Sequence, residues 1–129
     1  MVSMLISCGG VRTDDVVLED CIKIPAQKIE LIITENTYKG ETVVYLDADV
    51  TIENVDVIEN AQIFPVIKMH LLDKDGVEIE SLGCHVGDDM LETKGLKKKE
   101  EFSSGGEDKK YYEDIVKKTK SVRFTSEIK

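Results

Sequence analysis

The segment 42–54 constrains the fold more than any other part of the chain. Val44, Leu46, Ala48, Val50 and Ile52 occupy alternate positions, and Tyr45, Asp47, Asp49, Thr51 and Glu53 fill the positions between them. A helix would scatter those acids around its circumference, whereas a strand gathers them on one face. The spacing predicts a long strand with one buried and one wet face, the habit of antiparallel sheets.

The same period of two runs through most of 28–82. Ile29, Leu31 and Ile33 alternate with Glu30, Ile32 and Thr34 as a first core strand. Ile67, Met69 and Leu71 alternate with Lys68, His70 and Leu72. Asp73-Lys74-Asp75-Gly76 then supplies a turn, since Asp-Gly reaches positive φ at little cost. Val77 and Ile79 alternate with Glu78 and Glu80 on the return, completing a hairpin. Pro65 stands near the start of its strand, where a missing donor does least harm. Residues 83–95 read as loop with a short strand at Met90-Leu91, and 96–102 as a strand ending at Phe102. Ser103-Ser104-Gly105-Gly106 reads as a break.

After that break the period changes. Tyr111, Tyr112, Ile115, Val116 and Thr119 recur at spacings of three and four, and Glu113/Lys117 and Asp114/Lys118 form i,i+4 pairs in the favourable order. A short helix over 108–119 follows. Val122, Phe124, Ser126 and Ile128 alternate with Arg123, Thr125 and Glu127 as a closing strand.

Composition narrows the function classes. A chain of 129 residues is one domain with room for its own core. Its 17 basic and 26 acidic residues leave a net charge of −9, which argues against general nucleic-acid binding, whose affinity comes from neutralising phosphates. With no Trp and 5% aromatics, stacking platforms are poorly supplied. Charge is uneven: residues 94–123 hold ten Lys or Arg against six acids, and the remainder of the chain carries −13. Lys97-Lys98-Lys99 and Lys117-Lys118 could meet anionic headgroups or an acidic partner, or complement the acidic sheet of the protein itself.

Two resemblances follow from short runs of sequence. Leu5-Ile6-Ser7-Cys8 resembles the lipobox of bacterial lipoproteins, which implies an acylated Cys8 and a polar tether from Gly9 to Asp15. Few residues precede Cys8, so this reading expects a longer signal upstream, and a genuine Met1 expects a cytosolic protein. The run Val44-Tyr45-Leu46-Asp47-Ala48-Asp49-Val50-Thr51-Ile52-Glu53-Asn54, followed by Leu71-Leu72-Asp73-Lys74-Asp75-Gly76, resembles immunoglobulin-like, FxLYD-type domains of envelope lipoproteins. The resulting expectation is a mainly β chain: an immunoglobulin-like antiparallel β-sandwich with one short helix before the last strand. Residues 1–27 would be the lipobox-like start and tether, and 28–129 the sandwich.

Side chains with chemistry are few. If Cys8 carries lipid, Cys21 and Cys84 remain as a candidate disulfide in an oxidising envelope, with two unpaired buried thiols as the alternative. Asp47, Asp49, Asp73 and Asp75 are candidate metal ligands, although a solvated face and a hairpin turn account for them as well. Cys84 and His85 are adjacent on an extended segment and point to opposite faces, so they make no catalytic dyad. His70 falls at an outward position. These readings imply a non-enzymatic envelope lipoprotein domain that needs no cofactor, binds no nucleic acid, and meets an unknown protein partner and, through Cys8, the membrane. The alternatives are a cytosolic or phage-encoded β-sandwich interaction protein, or a calcium- or carbohydrate-binding module.

Overall fold

In the computed structural model, which describes residues 6–18, 22–56, 65–87, 90 and 92–128, the alternation of 42–54 becomes a single long strand. In chain order the strands are β1 (Ile6–Thr13), β2 (Val16–Leu18), β3 (Ile22–Ile24), β4 (Gln27–Tyr38), β5 (Glu41–Asn54), β6 (Pro65–Leu72), β7 (Glu78–His85), β8 (Lys97–Gly105) and β9 (Ser121–Ile128). One helix described from end to end, α1 (Lys109–Lys118), lies between β8 and β9.

The chain is mainly β and antiparallel, with this short helix before its last strand. It is not a sandwich. The strands form one sheet in the order β1-β4-β5-β8-β7-β6-β9, curled into a nearly closed barrel. β2 and β3 form a side hairpin that joins the end of β5 through Ile22–Asn54 and Lys23–Glu53. A sandwich would need two separate sheets, but β8 belongs to both halves. It pairs with β5 from Tyr45–Gly105 to Glu53–Lys97 and with β7 at Gly83–Ser103.

Within the span expected as start and tether, Ile6–Thr13, Val16–Leu18 and Ile22–Ile24 are strands. β1 pairs with β4 from Ile6–Ile33 to Thr13–Gln27, with a register shift between Ser7 and Gly10. Ile22 and Ile24 of β3 are fully buried. β3 is too short for its alternation to stand out, and a register shift interrupts β1. The expected strand at Met90-Leu91 is also corrected. Met90 is helical and fully buried, while Leu91 lies outside the described residues. The expected break at 103–106 is still strand as far as Gly105, because Gly105 stands opposite Tyr45, whose ring occupies the space a Cβ would need.

Inward positions of the strands fill the barrel: Ile29, Leu31 and Ile33 of β4, Leu46, Val50 and Ile52 of β5, and Ile67, Met69 and Leu71 of β6. Phe102 and Phe124 meet edge to face at 6.0 Å. On α1, Tyr112, Ile115 and Val116 form the buried stripe that the spacing predicts. Its caps follow standard chemistry: the Asp108 side chain accepts from the Tyr111 N–H at 2.7 Å, and the Thr119 N–H donates to the Ile115 carbonyl.

Strand direction fixes two ends. Because neighbours alternate, the starts of β1 and β9, the β4–β5 turn, the β6–β7 turn and α1 share one end. The β1–β2 turn, the connections after β5 and β7, and the end of β9 share the other. We call these the helix end and the open end. The β4–β5 turn is the two-residue kind with both central residues at positive φ, Lys39 at 51° and Gly40 at 79°.

Candidate functional site

The acids of β5 meet a mixed set of partners on the outer face. Asp47 accepts from Thr34 Oγ1 at 2.8 Å on one oxygen and from Ser103 Oγ at 2.6 Å on the other, tying β4, β5 and β8 together. Asp49 stands directly opposite Glu101 in the ladder. Asp47 first, then desolvation, then Asp49 raise the carboxyl pKa of Glu101 above its ordinary value. Lys97 and Lys99 face Glu53 and Thr51 along the same ladder, so they complement this sheet.

A gap accompanies the acids. β4 and β5 pair only as far as Ile32–Asp47, and β3 takes over at Glu53. Between these ladders the Gln27 side chain acts as a substitute peptide. Its Nε2 donates to the Thr51 carbonyl at 2.9 Å, and its Oε1 accepts from the Thr51 N–H at 2.9 Å. Lys28, Glu30, Ile32, Asp49 and Lys99 line a shallow groove beside it.

Asp73 and Asp75 lie elsewhere, in the β6–β7 turn at the helix end. One oxygen of Asp73 accepts from the Asp75 N–H at 2.8 Å and the Val77 N–H at 3.0 Å, and Gly76 has φ 77°. This carboxylate therefore closes the turn. Among the described residues no group of three or more His, Cys, Asp or Glu could hold a metal ion. The four candidate ligands are thus divided between a sheet face and a turn.

Cys84 points inward and is buried, with its thiol 3.7 Å from the His85 carbonyl, while His85 is exposed on the opposite face. Burial, reinforced by Glu100 and Glu101, pushes the thiol up to about 12, so it is un-ionised and a poor nucleophile. Cys84 is a free thiol, and its candidate disulfide partner Cys21 lies outside the described residues. The backbone of Cys8 lies in β1 within the interval where the register shifts.

A polar cluster that the sequence reading missed surrounds His70. Nδ1 of His70 contacts the Glu78 carboxylate, and Nε2 lies 2.6 Å from Thr125 Oγ1. Arg123 reaches Glu78 at 3.9 Å. These residues come from β6, β7 and β9 and are separated by 8 and 55 positions in the chain. The β6–β7 and β6–β9 pairings together make them neighbours. The cluster stands on an outer sheet face, and both ring nitrogens of His70 are already engaged.

The cavities at the helix end have a different character. Asp73, Lys74, Ile79, Lys117, Lys118 and Lys120 line one of about 380 Å³. Lys117 and Lys120 also line a neighbour of about 330 Å³, with Gly10, Val11, Leu31, Val116 and Thr119. This second space lies between β1, β4 and the end of α1. Among the described residues no helix is long and apolar enough to cross a membrane.

With the geometry in place, comparison with known proteins adds nothing further. No protein-family model, curated protein or solved structure matches this chain.

Proposed function

We propose that this chain is a non-enzymatic envelope lipoprotein domain, held through an acylated Cys8 and acting in protein–protein interaction or structural support. The observation that carries the reading is the position of Cys8 relative to the β1 ladder. Pairing with β4 resumes at Gly10–Glu30 and continues through Val11–Ile29 and Arg12–Lys28 to Thr13–Gln27. Cleavage before Cys8 would remove only Ile6–Ile33 and Ser7–Ile32 and leave those four pairs in place. A lipid at Cys8 is therefore compatible with the barrel.

The chemistry of the surface supports a binding role over catalysis. Asp47 and Asp73 are committed to structural hydrogen bonds, and Cys84 is buried and un-ionised. The open end mixes charges: Asp15 pairs with Lys23 at 3.8 Å and accepts from the Ala26 N–H at 2.6 Å, and Lys97, Lys98 and Lys99 start β8 there.

Intact mass of the protein purified from its native cells, with and without detergent extraction, tests the reading. The expected mass begins at Cys8 and includes a diacyl or triacyl group. A detergent-independent protein with an unmodified Cys8 overturns it and favours the cytosolic alternative.

A further inference from the structure

We infer that the helix end of the barrel is a docking surface for a lipid bilayer carrying anionic phosphates. The inference deepens the lipoprotein reading and rests on it for the orientation of the chain. Four large hydrophobic residues are exposed among the described residues, and three belong to this end: Tyr38 (72%) at the β4–β5 turn, Val77 (58%) at the β6–β7 turn and Tyr111 (39%) on α1. They are far apart in sequence, and the strand directions alone bring them together. Tyrosine suits a bilayer interface because its ring is apolar and its hydroxyl polar.

Charge points the same way. The segments 38–41, 73–77 and 107–120 hold seven lysines against seven acids, so the whole net charge of −9 lies elsewhere. An anionic surface would repel such a balanced end less than the chain as a whole. Three of those seven acids are committed locally. Asp73 closes its turn, Asp108 caps α1, and Asp114 pairs with Lys118 at 2.9 Å. Lys74, Lys117 and Lys120, by contrast, have no ion-pair partner among the described residues. Lys117 and Lys118 are accounted for by the negative end of the helix dipole, but Lys74 and Lys120 lie outside the helix. Their flexible stems can lie along Ile79 while the ammonium groups reach phosphate oxygens.

A bilayer is favoured over an acidic protein by the path of β1. It starts at this end, and its Gly10 and Val11 share a cavity with Lys117 and Lys120. A lipid on Cys8 would place these lysines beside the headgroups. Lysines free to meet headgroups next to an acyl chain would supply two signals for membrane attachment.

Flotation of the full, unacylated chain with vesicles tests the surface separately from the anchor. The vesicles are phosphatidylcholine alone or phosphatidylcholine with phosphatidylglycerol, at low and at physiological salt. The expected result is flotation with phosphatidylglycerol only, weakened by salt. K74E/K120E, both outside the helix, should lower partitioning roughly thirtyfold, at about one kcal/mol per lysine. K97E/K99E, at the start of β8 and so at the open end, should leave it within about twofold. Tyr38→Ala, at an exposed turn where folding is not at stake, should weaken it independently of charge. Equal binding to neutral vesicles, no binding to anionic ones, or equal loss in the K97E/K99E control overturns the proposal. Capture by polyglutamate with vesicles ignored also overturns it, in favour of an acidic polypeptide. The anchor is judged by mass: an acylated Cys8 without any dependence on anionic lipid removes the docking surface and leaves the anchor standing. An unmodified Cys8 with anionic-lipid binding does the reverse.

Discussion

β5 and β1 lie two places apart in one sheet and are held very differently. β5 pairs with β8 over Tyr45–Glu53, with β4 over Glu41–Asp47 and with β3 at its far end, and Leu46, Val50 and Ile52 are fully buried. β1 pairs with β4 alone, across a register shift, and its other edge faces the seam with β9. The contrast shows that membership of a sheet does not fix a strand's contribution to stability. Neighbours on both edges and a filled inward face make β5 the keel of the barrel, whereas β1 lies along its margin.

The comparison can be broken most severely in the core of β5. Leu46→Ala should cost about 3 kcal/mol, read from the denaturant midpoint, because it opens a cavity in a close-packed interior. Val17→Ala, on the outlying β2 where Val17 is 57% exposed, should change stability by less than about 0.5 kcal/mol. Similar costs for the two would abolish the distinction between the keel and the outlying N-terminal strands.

Gln27 sharpens it at the place where the keel lacks a backbone neighbour. Gln27→Ala leaves the Thr51 N–H and carbonyl without their shared partner and should cost about 1–2 kcal/mol. Hydrogen exchange at Thr51 should accelerate with it, while Leu46 is unaffected.

Cys84 supplies a pH test. Its folded pKa of about 12 lies above the ordinary 9.0, so the folded state retains a proton that the unfolded chain loses. The associated stability is present below pH 9 and lost as pH rises from about 9 to 12. Cys84→Ala should flatten that alkaline decline, and the wild-type thiol should resist iodoacetamide at pH 8 until the protein unfolds.

The smallest effect belongs to Glu101, whose raised pKa favours the folded state as acid is added through the carboxylate range. Asp47→Asn removes its first cause and should bring the Glu101 titration, followed by NMR, back toward the ordinary value. No movement would mean that Asp47 does not set it.

How much of this was legible from the chain depended on the length and regularity of each element. The 42–54 strand, the 65–82 hairpin and the helix were readable because each repeats its period several times and ends in turn or capping residues such as Gly76 and Asp108. The N-terminal strands were not, since β2 and β3 span three residues each and β1 carries a bulge. Barrel and sandwich share the same alternation, and only the β8 pairings separate them. Alternation did place Asp47 and Asp49 on the wet face and Cys84 opposite His85. The partners that define their roles, Thr34, Ser103 and Glu101, depend on register. The His70 cluster and the shared end of Tyr38, Val77 and Tyr111 depend on topology, which a period of two does not encode.

The odd number of strands around the barrel carries one more consequence. Seven alternating strands leave β1 and β9 running in the same direction, so the chain enters at one pole and leaves at the other. A β9 of eight residues spans about 25 Å. The start of β1 and the end of β9 therefore stand at opposite poles, about one strand length apart.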